Sequence, residues 1–518
     1  MFLLILALTP LLLYLYFTKN HDYWQKRNVK CERPLPFFGN MYKNIVGKRS
    51  ITEISTELYN KYPNEKVVGF YHGITPELII RDLDLIRKIM SIDFNYFYPR
   101  GLGRNPKIEP IFLNLFHADG DTWRLLRQRL TPAFTTAKLK NMFPLVLECA
   151  DKLQTLGEDI VNRGGECDVR ELMARFTTEF IGACGFGLQL DTINNEDSLF
   201  RKFGKTIFNR NRSWQHIALV ILYDLVPDLR SLLQHILTER FSYRNTSEIV
   251  RTVRTQRNNK PSGRHDFIDL LLELEAKGKI TGESIEKRNP DGSKSQVEME
   301  MDFNCMTAQV FVFFAAGFET SSSSTSYTLH QLAFSPEKQM KIQNEIDQVL
   351  AKYDNKMSYD SINEMSQLKM AFKEALRKFP SLGTLHRVCA KRYTIPELGI
   401  TIDPGVRIMI PVHAIQNDEQ YFESPAEFKP ERFNEISGSQ EKYSYLPFGE
   451  GPRMCIGARL GEMQSLAGLA AILHKFSVEP ASSTKRELEV SHISNIVQSI
   501  KGGLPLKLKL RNKETSKT

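Results

Sequence analysis

The feature that most restricts what this chain can become is the segment Phe448-Gly449-Glu450-Gly451-Pro452-Arg453-Met454-Cys455-Ile456-Gly457. Two glycines and a proline ahead of the cysteine force an irregular turn. Behind it, apolar residues take helical spacing at Ala458, Leu460, Met463, Leu466, Leu469 and Leu473. Cys455 therefore stands at or just before a helix amino terminus, where the dipole and free amide N–H groups favour thiolate over thiol. Amide donors aimed at the sulfur also tune its electron donation to a metal. Gly451 and Gly457 leave room for a flat ligand to approach the backbone. Phe448 shields the sulfur from water, and Arg453 supplies a cation for a ligand carboxylate. A lone cysteine at a helix start is most often a small buried hydrophobe. Here five spaced positions coincide.

The remaining cysteines, Cys31, Cys149, Cys167, Cys184, Cys305 and Cys389, are widely spaced and form no CxxC pair. They read as free thiols in a reducing compartment. The 518 residues are 42% apolar and 25% charged, enough for a core that encloses a ligand without disulfide or metal staples. Length alone favours several domains, whereas the motifs favour one large one. The net charge of +9 is a solvated basic surface or the footprint of an anionic partner, a membrane surface or an acidic protein. No nucleic-acid motif or basic arm is present, so a nucleic-acid partner is excluded.

Residues 1–17, MFLLILALTPLLLYLYF, carry no charge. A helix of that length spans about 26 Å, near the roughly 27 Å hydrocarbon core of an endoplasmic reticulum bilayer. Bulky residues at its end argue against a cleaved signal peptide. Lys19, Lys26, Arg27, Lys30 and Arg33 follow it, which keeps the rest of the chain cytosolic. Four parts are expected: an anchor helix over 1–17, a basic and proline-rich connector over 18–40, a catalytic domain over 41–511 and a polar tail over 512–518. Helical periodicity dominates the body, for example over 145–160, 267–274 and 338–350. Short strands are expected over 67–71, 78–80 and 406–410. The polar stretch 279–300 is expected to be an exposed loop.

Further groups stand out. Glu374 and Arg377 are spaced i, i+3 on a helix, upstream of Phe428-Lys429-Pro430-Glu431-Arg432-Phe433. Ala316-Gly317-Phe318-Glu319-Thr320 follows an apolar run that suits a core-crossing helix. Gly317 there costs about 1 kcal/mol against alanine, which calls for a packing or functional reason. Trp123 and Arg127 share a helix face.

The spacing F-x-x-G-x-R-x-C-x-G resembles the haem-binding signature of the cytochrome P-450 superfamily and matches it at every fixed position. The other motifs follow in family order, from the proline connector to about residue 510. The phrases at 119–123 and 311–320 look like the branch of insect microsomal detoxifying and vertebrate drug-metabolising members, the insect ones more so. The resemblance implies a mainly α fold, a helical prism with a small β region enclosing haem b, with the Cys455 thiolate on the iron. It places Trp123, Arg127 and Arg387 on the haem propionates and joins Glu374, Arg377 and Arg432 in a buried ion network. Gly317 would make a groove for dioxygen, with Glu319 and Thr320 relaying protons. The implied activity is monooxygenation of apolar small molecules with electrons from NADPH. NADPH-cytochrome P-450 reductase would dock on Arg124, Arg129, Lys138, Lys140 and Arg459, and cytochrome b5 is a further partner. The implied location is the endoplasmic reticulum membrane. Pocket walls are expected from Phe311, Ala315 and parts of 96–116 and 207–222. One departure is Phe379-Pro380-Ser381, where that branch usually has a second proline; only a local change is expected. Two rivals are a thiolate-haem isomerase or dehydratase, for which Glu319 and Thr320 have no use, and a non-catalytic haem sensor, for which no signalling segment is found.

Overall fold

The computed structural model describes residues 2–188, 190–195, 198, 200–202, 204, 222–223, 232–234, 240–264, 266–434, 441–492 and 497–512. Most of the expected pocket wall at 207–222 and the tail beyond 512 lie outside these residues. The chain opens with helix α1, Phe2–Thr18. Among the described residues no helix is long and apolar enough to cross a membrane. α1 meets the body through Phe17, whose ring lies 4.4 Å from Phe37, beside Ile74.

Helix α2 is Gly120–Leu130, α3 Thr136–Asn162, α4 Val169–Ile181 and α5 Phe267–Ala276. They lead to α6, Phe303–Ala333, which Asp302 caps by accepting from Cys305 N at 2.7 Å. Every residue of α6 from Ser321 to Ala333 is buried, so it crosses the core as the apolar run at 310–315 led one to expect. α4 lies along it, and α7, Pro336–Lys352, α8, Ser366–Lys378, and α9, Ala458–Lys475, pack around it. Their apolar faces form one large core.

The β region is small, as expected. Strands β1, Val67–His72, and β2, Thr75–Ile80, join two later strands, β6, Leu385–Val388, and β7, Arg407–Ile410, in the order β1-β2-β7-β6. Only the β2–β7 pair is parallel, with Leu78 opposite Ile408. This sheet buries a second core around Trp24, Ile86 and Ile415. A three-stranded sheet pairs β3, Glu166–Asp168, and β8, Phe476–Pro480, on either side of β9, Pro505–Leu510.

The expected loop at 279–300 is instead an antiparallel hairpin, β4, Lys279–Arg288, with β5, Lys294–Glu300. Alternating polar and apolar residues in Gln296-Val297-Glu298-Met299-Glu300 and the turn residues Asn289-Pro290-Asp291-Gly292 carry the signal that overall polarity hid. Gly292 turns at φ +83°.

Candidate functional site

The cysteine loop runs into α9. Gly449 and Gly451 take φ +67° and +74°, which folds the chain back so that Cys455 N donates to Phe448 O at 2.8 Å. Phe448 is half-buried and packs on the main core. Cys455 is exposed, yet protein encloses it closely enough for burial to push its thiol up from the ordinary value. The Gly457 amide and the Arg100 and Arg127 guanidiniums pull the other way without prevailing. The thiolate preference expected from the helix start alone is therefore outweighed by desolvation.

The two glycines differ from each other, and only Gly451 departs from expectation. A Cβ on Gly451 would stand 1.9 Å from Met90 O, so protein backbone rather than a ligand requires that glycine. A Cβ on Gly457 would meet only Phe134 Cε1 at 3.9 Å, which leaves open space beside the cysteine.

Trp123 and Arg127 share α2 as expected. Arg127 donates to Met454 O at 2.8 Å, and the Arg453 guanidinium lies 4.3 Å from the centre of the Trp123 ring. Arg453 Nη2 donates to Asp119 Oδ1 at 2.7 Å and to Ala118 O at 2.9 Å. Arg100, which no motif singles out, donates to Arg453 O at 2.9 Å and to Phe116 O at 3.0 Å. Arg387 leaves β6 and donates to His386 O at 2.8 Å. Burial, helped by neighbouring guanidiniums, lowers all three: Arg453 to about 8 beside Arg100 and Arg387, Arg387 to about 9 beside Arg100, and Arg100 to about 10 beside Arg127. Buried Arg387 Nε, Arg453 Nε and Arg453 Nη1 have no hydrogen-bond partner. This cationic cluster has a surplus of donors that Asp119 cannot satisfy.

Glu374 and Arg377 on α8 are fully buried and form two parallel bonds of 2.8 and 2.9 Å. Arg432 Nε lies 3.1 Å from Glu374 Oε2, near enough for charge attraction but outside hydrogen-bond geometry. The three residues come together as expected. Gln416, missed in the sequence, extends the network: Arg377 donates to its carbonyl at 2.8 Å, and its Oε1 accepts from Leu446 N at 2.8 Å, two residues before Phe448.

On α6 the expected residues do not act as one group. A Cβ on Gly317 would lie 2.4 Å from Ile181 Cδ1, so close packing of α4 on α6 accounts for this glycine and fills the space assigned to a dioxygen groove. Glu319 is buried and paired with Arg170 of α4. Thr320 Oγ1 donates to Ala316 O at 2.7 Å. Ala316 is exposed in the middle of this core helix, so α6 borders open space there.

Of the expected docking cations, Arg124 lies 3.5 Å from Glu283, Arg129 donates to Thr281 O, and Lys140 pairs with Asp360. Arg124 and Arg127 line a cleft of about 350 Å³ beside Pro452.

A family model described as Cytochrome P450 matches residues 29–504. The chain belongs to the cytochrome P-450 family. It is 38% identical to cytochrome P450 6B2 of Helicoverpa armigera over 498 residues, 96% of this chain and 95% of that one. It is 35% identical to cytochrome P450 6a2 of Drosophila melanogaster over 515 residues, 98% of each. Cytochrome P450 6B1 of Papilio polyxenes is 34% identical over 471 residues, 91% of this chain and 92% of that one. The likeness to insect members thus holds across the chain. This cytochrome P-450 is a monooxygenase whose family carries haem b on a cysteine thiolate and takes electrons from a redox partner. The residues present fit that group. The unsatisfied guanidinium atoms match a ligand with two carboxylates, and the space beside Gly457 and Cys455 suits a flat ring.

Proposed function

We propose that this cytochrome P-450 inserts one atom of dioxygen into apolar small molecules, foreign or endogenous, with electrons from NADPH passed on by NADPH-cytochrome P-450 reductase and with cytochrome b5 as a second donor. The observation that carries the reading is the cluster of Arg100, Arg387 and Arg453 around a single carboxylate beside Cys455. Cys455 is the iron ligand, and Trp123, Arg127, Arg387, Arg453 and Arg100 hold the propionates. Haem supplies the activation of dioxygen, which an electron-donating thiolate favours.

The chain's own residues orient and protonate. Thr320 Oγ1 spends its proton on Ala316 O and keeps its lone pairs free to accept a hydrogen bond. To pass a proton on, it must release Ala316. Glu319 must leave Arg170 before its carboxylate can move a proton. Thr320→Ala is expected to keep haem and NADPH consumption but to divert electrons to hydrogen peroxide, measured as peroxide against product. Unchanged coupling would remove the relay role.

The iron ligand is tested by the carbon monoxide difference spectrum of the reduced protein. The wild type should absorb at the long-wavelength position of thiolate-bound haem, and Cys455→His should lose that band. A histidine-type band in well-folded wild type would end the monooxygenase reading.

Placement at the endoplasmic reticulum membrane rests on α1. Leu8, Leu11, Leu12, Leu13 and Leu15 are exposed on it, an apolar surface that water does not favour. A helix of this length is accommodated by local thinning of the bilayer. Release of the full-length protein by alkaline carbonate would overturn this placement.

A further inference from the structure

Ser381 stands where the chain leaves α8 for β6, and it is 5% exposed. Its hydroxyl lies 3.1 Å from Ser324 Oγ and 3.3 Å from the Thr320 carbonyl oxygen. Ser324 Oγ donates to that same carbonyl at 2.7 Å. One assignment satisfies both protons: Ser324 donates to Thr320 O, and Ser381 donates to Ser324 Oγ. The carboxyl-terminal segment closes on the same place. Gln498 donates through its amide to Ser381 O at 2.8 Å and through Nε2 to Pro380 O at 2.7 Å. Tyr327 of α6 donates to Gln498 O at 2.9 Å.

Ser381 therefore meets the turn of α6 that bears Thr320, and Gln498 ties Ser381 to Tyr327 further along the same helix. In that turn side-chain hydroxyls crowd the backbone carbonyls, Thr320 on Ala316 O and Ser324 on Thr320 O. Such back-bonding bends a helix and loosens its own ladder. The course of α6 at 316–324 then depends on what holds that turn from outside. Ser381 does so, and a proline at 381 has no hydroxyl with which to do it.

We propose that Ser381 is a positioning residue for oxygen transfer, its hydroxyl holding the Thr320 turn of α6 through Ser324 so that Thr320 Oγ1 is presented for proton delivery. The proposal rests on the relay reading of Thr320. Two measurements test it on full-length protein with matched haem content: hydrogen exchange of the 316–324 backbone, and the ratio of hydrogen peroxide to product. Ser381→Ala should speed exchange there about fivefold, the effect of one net hydrogen bond, and raise the peroxide ratio. Ser381→Thr, which keeps the hydroxyl, should restore both. In the Thr320→Ala background Ser381→Ala should leave the peroxide ratio unchanged, because both act through one group. If Ser381→Ala does not retain haem, Ser324→Ala removes the same link from the other end. A raised peroxide ratio in Thr320→Ala with wild-type behaviour in Ser381→Ala overturns the proposal and leaves the relay standing. A wild-type ratio in Thr320→Ala ends the relay reading, and the proposal with it.

Discussion

Three glycines of the motifs have three different physical reasons. Gly451 combines φ +74° with a carbonyl 1.9 Å from its absent Cβ; Gly317 yields to Ile181; Gly457 has space. A side chain in the left-handed region costs about 1–2 kcal/mol, and the Met90 contact adds to it. Gly451→Ala apoprotein is therefore expected to have a thermal midpoint well below that of Gly457→Ala apoprotein, whose added methyl strains nothing in the polypeptide. Equal thermal midpoints for the two haem-free variants would contradict the assignment of Gly451 to backbone packing.

The hairpin and the core helix behave differently as elements. Besides the Arg124 and Arg129 contacts, one carboxylate joins β4 to α2: Asp121 accepts from Ser284 Oγ at 2.9 and 2.8 Å and from Ile285 N at 2.7 Å. Buried Ser284 and the Ile285 amide would lose their partner in Asp121→Ala, a cost of about 1–3 kcal/mol for an unsatisfied buried group. Limited proteolysis should then cut the hairpin first, while the carbon monoxide spectrum keeps its position. The helix α6 lacks such separability, because Thr177 donates to Phe318 O, Ser326 donates to Val169 O and Glu319 pairs with Arg170, all of which tie it to α4. Losing Arg170 would strand a buried carboxylate, and about 3–5 kcal/mol is the usual scale of that effect.

Across the whole molecule, fully buried Glu374 connects distant parts of the site. It holds Arg377, which meets Gln416, which in turn receives Leu446 at the entrance to the cysteine loop. Glu374→Ala leaves Arg377 buried without its carboxylate, again a loss of about 3–5 kcal/mol. Haem content per polypeptide should fall to near zero, with soluble protein depleted. Normal haem content in that variant would show that the network does not support the pocket.

Chemistry that depends on spacing along the chain was legible in the sequence: the cysteine loop, the Glu374–Arg377 pair, the core-crossing helix and the short strands at 67–71 and 406–410. Each is a local pattern whose geometry follows from helix or strand period. The tertiary structure alone decided which groups meet across long separations. Arg100 joins Arg453, Arg170 takes Glu319, Ile181 fills the gap at Gly317, and Ser381 reaches the Thr320 turn. None of these pairs has a fixed spacing, so no sequence period reports them. Their energies come from desolvation and contact, which arise only once the core has closed.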